Sequence, residues 1–217
     1  MLIEIFSDVV CPWCYIGKRR LDAVLESAAG EGVEVAWRPF QLYPQLPPEG
    51  MPRAQFMRAR FGEGAQPGEI YRRIVEEARG IGLELDFEAI DTAPNTFLAH
   101  RLLSWAEGSG RQHELAEVLF QYYFRRGENV GDPVTLARAA AEAGLDAGAA
   151  EQFLGGTEGS ADVELYLQLG RQIGVTGVPF YLLAGRFAIP GAQSSEVMAQ
   201  FITRARERLA AEAEVAG

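Results

Sequence analysis

The 217-residue chain contains two cysteines, and they stand three positions apart in Cys11-Pro12-Trp13-Cys14. Random placement would bring two cysteines that close about one time in a hundred, so the spacing is a signal. Thiols so spaced can cycle between dithiol and disulfide, and the attacking species in that exchange is a thiolate. Cys11 is read at the N-cap of a helix. There the unpaired backbone N–H groups and the positive end of the helix dipole favour a thiolate. Pro12 suits the first helical turn, where no N–H bond is lost. Cys14 lies one turn in, close enough to bridge and more shielded. Cys11 is therefore the expected nucleophile and Cys14 the resolving thiol. Two other uses are weighed. A structural disulfide across so short a loop constrains little chain and does not suit a reducing cytosol. A zinc site needs about four ligands. The two histidines, His100 and His113, lack the close spacing of a zinc pair, so carboxylates would have to complete it.

The elements that position this pair are read from hydrophobic patterning. Leu2-Ile3-Glu4-Ile5-Phe6 is short, apolar and β-prone, a buried strand. Cys11 to about Ala29 is predicted helical, with Leu21, Val24, Leu25 and Ala28 on one face and Gly30 as its stop. Val33 to Trp37 alternates and ends before Pro39, a second strand. A right-handed crossover would make the two strands parallel. Residues 41–52 carry four prolines and no periodicity and are read as a linker. From 53 to 158 helix follows helix, with no strand candidate. In that stretch Phe97, Arg101 and Trp105 share a face, as do Leu115, Val118, Leu119 and Tyr122. Asp132-Pro133 reads as an N-cap and first turn, followed by Leu136, Ala139, Ala140 and Ala143. Ser160 opens another helix with Asp162 and Glu164 in its acidic first turn and Tyr166, Leu169 and Ile173 on its buried face. Residues 180–183 and 186–189 flank Ala184-Gly185, a two-residue hairpin turn. Val197, Phe201, Ala205 and Leu209 define a closing helix.

Without the helical stretch the order is β-α-β-α-β-β-α, the thioredoxin order. The fold class expected is therefore α/β, a thioredoxin-like fold with a large all-helical insertion. Residues 1–40 and 159–217 would form the thioredoxin-like domain, and 41–158 the linker and inserted helical domain, capping one end of the sheet over a cleft. Composition agrees with a folded chain: 48% of residues are hydrophobic and 23% charged. No apolar run approaches the roughly 18 residues of a membrane span. The net charge of −10 disfavours nucleic acid and anionic membranes as partners. The first residues, Met1 to Asp8, have no basic region and too short an apolar stretch for a secretory signal, so the cytoplasm is the expected compartment.

Several residues around the pair carry two readings each. Trp13 is either a flat contact for an apolar substrate or packing against the helical cap. Val178-Pro179 precedes the hairpin. In a thioredoxin-like fold it would face the cysteines with a cis bond, exposing the Val178 backbone for pairing with an extended substrate. Asp8 would disfavour a Cys11 thiolate if buried nearby and matter little as an exposed cap. Asn95 and His100 read, on pattern alone, as a helix cap and a partly buried histidine. His113 and Arg125-Arg126 read as surface.

The segment Ser7-Asp8-Val9-Val10-Cys11-Pro12-Trp13-Cys14-Tyr15-Ile16-Gly17-Lys18 resembles the FrnE-like branch of the DsbA family. Asn95-Thr96, Ala99-His100-Arg101, Gly177-Val178-Pro179 and Gly191-Ala192-Gln193 share the likeness, which spans the chain. The resemblance implies a thioredoxin fold with a helical insertion, a cis-proline facing the cysteines, and a cleft lined by Asn95, His100 and Gln193. It implies thiol–disulfide oxidoreductase activity on protein or small-molecule thiols and disulfides. No cofactor is expected beyond the Cys11–Cys14 pair, with glutathione as a candidate co-substrate. Related kappa-class glutathione transferases and 2-hydroxychromene-2-carboxylate isomerases carry Ser where this chain has Cys11, so the dithiol favours redox exchange over glutathione-dependent isomerisation. Pro-Trp between the cysteines departs from periplasmic DsbA. A non-catalytic holdase using the cleft ranks third.

Overall fold

A computed structural model describes residues 1–63 and 67–216. Strand β1 (Leu2–Ser7) leads into helix α1 (Pro12–Leu25), a 3-10 turn at Ala28–Gly30, and strand β2 (Glu34–Pro39). β1 and β2 are parallel, with Ile3 beside Val35 and Phe6 beside Arg38. α1 stops four residues before the expected Ala29. The Glu26 and Ser27 N–H groups close the helix onto Asp22 and Val24, and the Ser27 hydroxyl then starts the 3-10 turn by accepting from the Ala29 N–H.

The middle of the chain is largely helical, as expected, but not free of strand. Strand β3 (Met51–Pro52) precedes helices α2 (Arg53–Phe61) and α3 (Pro67–Arg79). It pairs with strand β4 (Thr92–Ala93) as a two-residue antiparallel ladder, too short for an alternating pattern to reveal. Helices α4 (Phe97–Glu107), α5 (Gln112–Arg126), α6 (Pro133–Glu142), α7 (Ala147–Gly155) and α8 (Ser160–Gln172) follow. α6 starts as read: Asp132 accepts a bond from the Thr135 N–H at 2.8 Å, with Pro133 in the first turn.

Strands β5 (Phe180–Leu183) and β6 (Phe187–Pro190) complete the sheet, and helix α9 (Ser195–Ala216) closes the chain. The sheet order is β2-β1-β5-β6, with β5 antiparallel to both β1 and β6. Leu183 pairs with Phe187, so the hairpin loop has three residues, 184–186, and not two. Ala184 and Gly185 both take positive φ there.

Two helix faces differ from the periodicity reading. On α8, Leu169 and Ile173 are exposed, Tyr166 is half-buried, and Val163 and Gly170 are buried instead. The reason is a close helix–strand approach. A Cβ on Gly170 would sit only 3.1 Å from the Phe6 ring, so the bare glycine forms the contact face, and hydrophobic patterning cannot register it. On α9, Met198, Ile202 and Ala205 are buried while Phe201 is exposed, a face turned by about one residue.

One apolar core runs from Ile3 and Ile5 of β1 through α1 to Leu102, Leu115, Phe120 and Leu136 of the inserted helices. Tyr15 of α1 stacks on Phe120 of α5 at 5.0 Å, and Trp37 of β2 meets the same ring edge-on. Arg38, buried on β2, joins the layers. It bonds Glu4 on β1 and Glu107 on α4, and lies 4.4 Å over the Tyr166 ring of α8. Arg101 of α4 is also buried. Its guanidinium donates to the carbonyls of Phe153, Gly156 and Glu158 at 2.8–3.0 Å, closing the C-terminal end of α7. Among the described residues no helix is long and apolar enough to cross a membrane.

Candidate active site

The site forms where β1 ends and α1 begins. The turn is held by the Cys11 N–H donating to the Asp8 carbonyl at 2.9 Å. Cys11 takes an extended backbone (φ −92°, ψ 113°) as the N-cap of α1, with Pro12 in the first turn. Its side chain makes no capping bond, which leaves the sulfur free for other partners. The Cys11 carbonyl accepts from the Cys14 N–H at 3.0 Å, which fixes Cys14 one turn into the helix. Both thiols are free. Cys11 is 4% exposed and Cys14 1%, so the order of shielding is as expected, but Cys11 is more covered than a freely reachable thiol.

Part of that cover comes from the far end of the chain. The Cys11 sulfur donates to the Val178 carbonyl at 3.7 Å, and the Val178–Pro179 peptide is cis. Pro179 is buried, and its carbonyl accepts from the Gly191 N–H at 2.8 Å, which ties this turn to the end of β6. Gly17 of α1 faces the same turn. A Cβ there would lie 2.3 Å from the Tyr181 hydroxyl, 3.1 Å from Pro179 Cγ and 3.5 Å from Ala192 Cβ. Only a glycine lets α1 sit this close.

The two sulfurs stand in different electrostatic settings. Burial pushes the Cys14 thiol up, and the neighbouring Cys11 side chain adds to this by hydrogen bond and charge. The Ser7 side chain and the Asp8 backbone work in the opposite sense without reversing the shift. Cys14 is thus held as a neutral thiol at neutral pH.

The supporting residues distribute as follows. Trp13 is half-buried against the core, with the Arg73 guanidinium 5.8 Å from its ring. Asp8 is fully buried and not an exposed cap. Its Oδ2 accepts from the Leu42 N–H at 2.7 Å, and its Oδ1 lies 3.4 Å from His100 Nε2. His100, 3% exposed on α4, is therefore brought to the floor of the β1–α1 turn. Asn95 is differently engaged. Its amide donates to the Leu46 carbonyl, while its Oδ1 accepts from the Phe97 N–H and from Gln41. It holds the N–H of the first α4 residue and fastens the 41–46 segment, so that segment is clamped in place and does not hang as a free linker. Gln193 bonds back to the Pro190 carbonyl, within the turn that also places Ala192 against Gly17.

Some neighbours carry no sequence signal. Tyr43 lies in the proline-rich segment, packed edge-on against Phe56 at 4.7 Å. Burial raises its hydroxyl. Behind α1, the buried Lys18 bonds Asp22 and Glu117, each at 2.9 Å. Burial would raise both carboxyls. The His113 and Lys18 contacts at Asp22, and the Lys18, Gln121 and Tyr15 contacts at Glu117, bring them below their ordinary values. His113 is not free surface: its ring bonds Asp22 at 2.7 Å and accepts from the Trp37 indole N–H at 3.2 Å. The i, i+4 spacing of Lys18 and Asp22 was the available hint.

Comparison with known proteins matches this architecture. The chain fits the family model described as a DSBA-like thioredoxin domain over residues 2–203. It is 30% identical to the uncharacterized protein YwbO of Bacillus subtilis, across 93% of this chain and 95% of that one. The crystal structure of probable DsbA oxidoreductase SCO1869 from Streptomyces coelicolor superposes with a TM-score of 0.85 at 32% identity, covering 95% of this chain and 90% of that chain. A 2-hydroxychromene-2-carboxylate isomerase shares the fold over both full chains, with a TM-score of 0.68 at 16% identity. On this match over residues 2–203, the chain belongs to the DSBA-like thioredoxin domain family.

Proposed function

We propose that the protein is a thiol–disulfide oxidoreductase that exchanges its Cys11–Cys14 pair with protein or small-molecule thiols and disulfides. The observation that carries this reading is the asymmetric pair itself. Cys11 stands uncapped at the helix N-terminus against the Val178 carbonyl, and Cys14 is a buried thiol one turn behind it. In the oxidising direction, a substrate thiolate attacks Cys11 Sγ of the intramolecular disulfide and Cys14 leaves as a thiolate. A second substrate thiolate then breaks the mixed disulfide, so the substrate gains a disulfide and the enzyme becomes the dithiol. In the reducing direction, the Cys11 thiolate attacks a substrate disulfide and Cys14 resolves the adduct. Val178 would pair with an extended substrate segment, and Trp13 would flank it. Glutathione is the proposed small-molecule co-substrate. Within the family, the Ser7–Lys18 segment supports placement in the FrnE-like branch.

The test is equilibration across glutathione redox buffers, read by alkylation and intact mass. A reversible two-thiol transition is expected. A midpoint near −270 mV would mark a reductase and one near −120 mV an oxidant. Cys11→Ser should abolish exchange, and Cys14→Ser should trap substrates on Cys11. A protein without a reversible transition, or with activity that survives Cys14→Ala, would instead point to the single-thiol, glutathione-dependent isomerase or transferase reading.

A further inference from the structure

The Val178 carbonyl meets the Cys11 sulfur from the cis-proline turn, and that turn is tied to a second one. The Pro179 carbonyl accepts from the Gly191 N–H at 2.8 Å. Gly191, at φ +77°, opens an irregular turn between β6 and α9. Within it the Gln193 N–H bonds the Gly191 carbonyl, and the Gln193 side chain bonds the Pro190 carbonyl. Where Val178 stands against Cys11 therefore depends on what anchors residues 191–193.

Helix α1 supplies the anchor. Gly17 and Arg20 are three residues apart and share one face of the helix. Ala192 sits against both. Its Cβ lies 3.5 Å from where a Cβ on Gly17 would be, and its carbonyl accepts from Arg20 Nη1 at 2.7 Å. The other terminal nitrogen of Arg20, Nη2, bonds Glu77 of α3 at 2.6 Å. The Ser195 hydroxyl at the start of α9 donates to the Arg20 carbonyl at 2.9 Å. One residue thus joins α1, α3, the 191–193 turn and α9. The Arg20 side chain is 14% exposed, whereas that of the adjacent Arg19 is 47% exposed and comes no closer than 3.6 Å to Glu117. Covering a guanidinium and freezing its rotamers is costly, and two charge-assisted bonds made by one planar fork offset that cost.

We propose that Arg20, backed by Glu77, is a positioning residue for disulfide exchange: it fixes the 191–193 turn and through it the Val178 backbone, so that an extended substrate meets Cys11 in register. The proposal rests on the dithiol reading above and deepens it by naming what sets its preference among substrates. The path runs from Glu77 through Arg20 to the Ala192 carbonyl, across the turn to the Gly191 N–H, and through the Pro179 carbonyl to Val178. Arg20 acts through that turn and not on the sulfur. Its effect falls on substrates that pair with backbone, and a small disulfide with no chain to pair does not depend on it.

The experiment compares two substrates of the reduced protein that release the same coloured aromatic thiolate. One is the symmetric aromatic disulfide, and the other joins that thiol to the cysteine of a short extended peptide. In both, the Cys11 thiolate attacks one sulfur, a bond from Cys11 to that sulfur forms, the substrate S–S bond breaks, and its electron pair leaves on the coloured thiolate. In Arg20→Met the second-order rate with the peptide disulfide should fall about tenfold, short of the hundredfold that a misplacement of roughly 1 Å can cost, while the rate with the aromatic disulfide stays within about twofold of the wild type. Arg20→Lys, whose ammonium can still donate to the Ala192 carbonyl, should bring the peptide rate back to within about threefold. Glu77→Ala, at a half-exposed position that spares the fold if Arg20→Met does not, should lower the peptide rate about three- to fivefold with the aromatic rate unchanged. An unchanged peptide rate in the folded variants, or an equal loss with both substrates, overturns the positioning role and leaves the dithiol reading intact. Release of the coloured thiolate from both substrates at wild-type rates in Cys11→Ser would overturn the dithiol reading itself, and the positioning role with it.

Discussion

Gly17→Ala offers a sharp test of how α1 is seated. In an ordinary helix interior the change stabilises by about 0.8–1.0 kcal/mol. Here the new Cβ would lie 2.3 Å from the Tyr181 hydroxyl, whereas ordinary contact begins at 3.4 Å, so the two must part by about 1.1 Å. Tyr181 cannot swing away. It is 2% exposed on β5, a strand paired on both sides, and Pro179 Cγ stands only 3.1 Å from the same Cβ. Overpacking of this kind costs about 1–3 kcal/mol, and the rigid surroundings put this case at the upper end. Subtracting the helix gain leaves a net loss of about 2 kcal/mol, or about 4–8 °C in Tm for a chain of this length. Tyr181→Phe removes the nearest atom, and with it a buried hydroxyl that has no partner among the described residues. That change alone should be neutral or stabilising. In the Tyr181→Phe background, Gly17→Ala should cost less than about 1 kcal/mol. The assay is denaturant and thermal unfolding of the four proteins as a double-mutant cycle. A coupling below about 0.5 kcal/mol, or a Gly17→Ala variant more stable than the parent, would refute the reasoning.

Three other outcomes follow from the packing. Arg101→Met should destabilise by about 2–4 kcal/mol, because it strands the carbonyls that the guanidinium closes at the end of α7; chemical denaturation reads this directly. Leu169→Gln and Ile173→Gln, at positions whose spacing suggests burial, should each change stability by no more than about 0.5 kcal/mol, since both side chains face outward. The Lys18 cluster sets an acid limit. Asp22 and Glu117 sit below their ordinary values of 3.8 and 4.5 in the folded state, so their contribution is fully present above those values and is lost as pH falls through the folded ones. Lys18→Met should therefore flatten the decline of Tm with acid between about pH 5 and pH 2; an unchanged slope would remove the cluster from the account.

What could be read from sequence was local. Cys11 and Cys14 stand out by type and spacing, Asp132-Pro133 announces a helix start, and the alternation around Ala184-Gly185 announces a hairpin. What could not be read was where distant segments touch. Gly170 forms the contact face of α8 because it has no side chain, so no hydrophobic pattern marks it. Asn95 clamps the 41–46 segment, and Asp8 binds Leu42, which turns a proline-rich stretch into a wall of the site; neither contact has a local signature. The strands β3 and β4 are too short to carry a period. Ser7, Lys18 and His113 look like ordinary polar residues until the fold closes around them.

The bond from the Cys11 sulfur to the Val178 carbonyl spans 167 residues of chain, and it has a consequence for synthesis. During translation Cys11 leaves the ribosome long before the turn that covers it. At roughly 5–20 residues per second that interval is about 8–33 s. Through it β1 lacks its β5 neighbour, and half of the sheet has yet to emerge. The nascent chain thus presents both thiols to the oxidants and thiols around the ribosome before the Val178–Pro179 turn exists to cover Cys11.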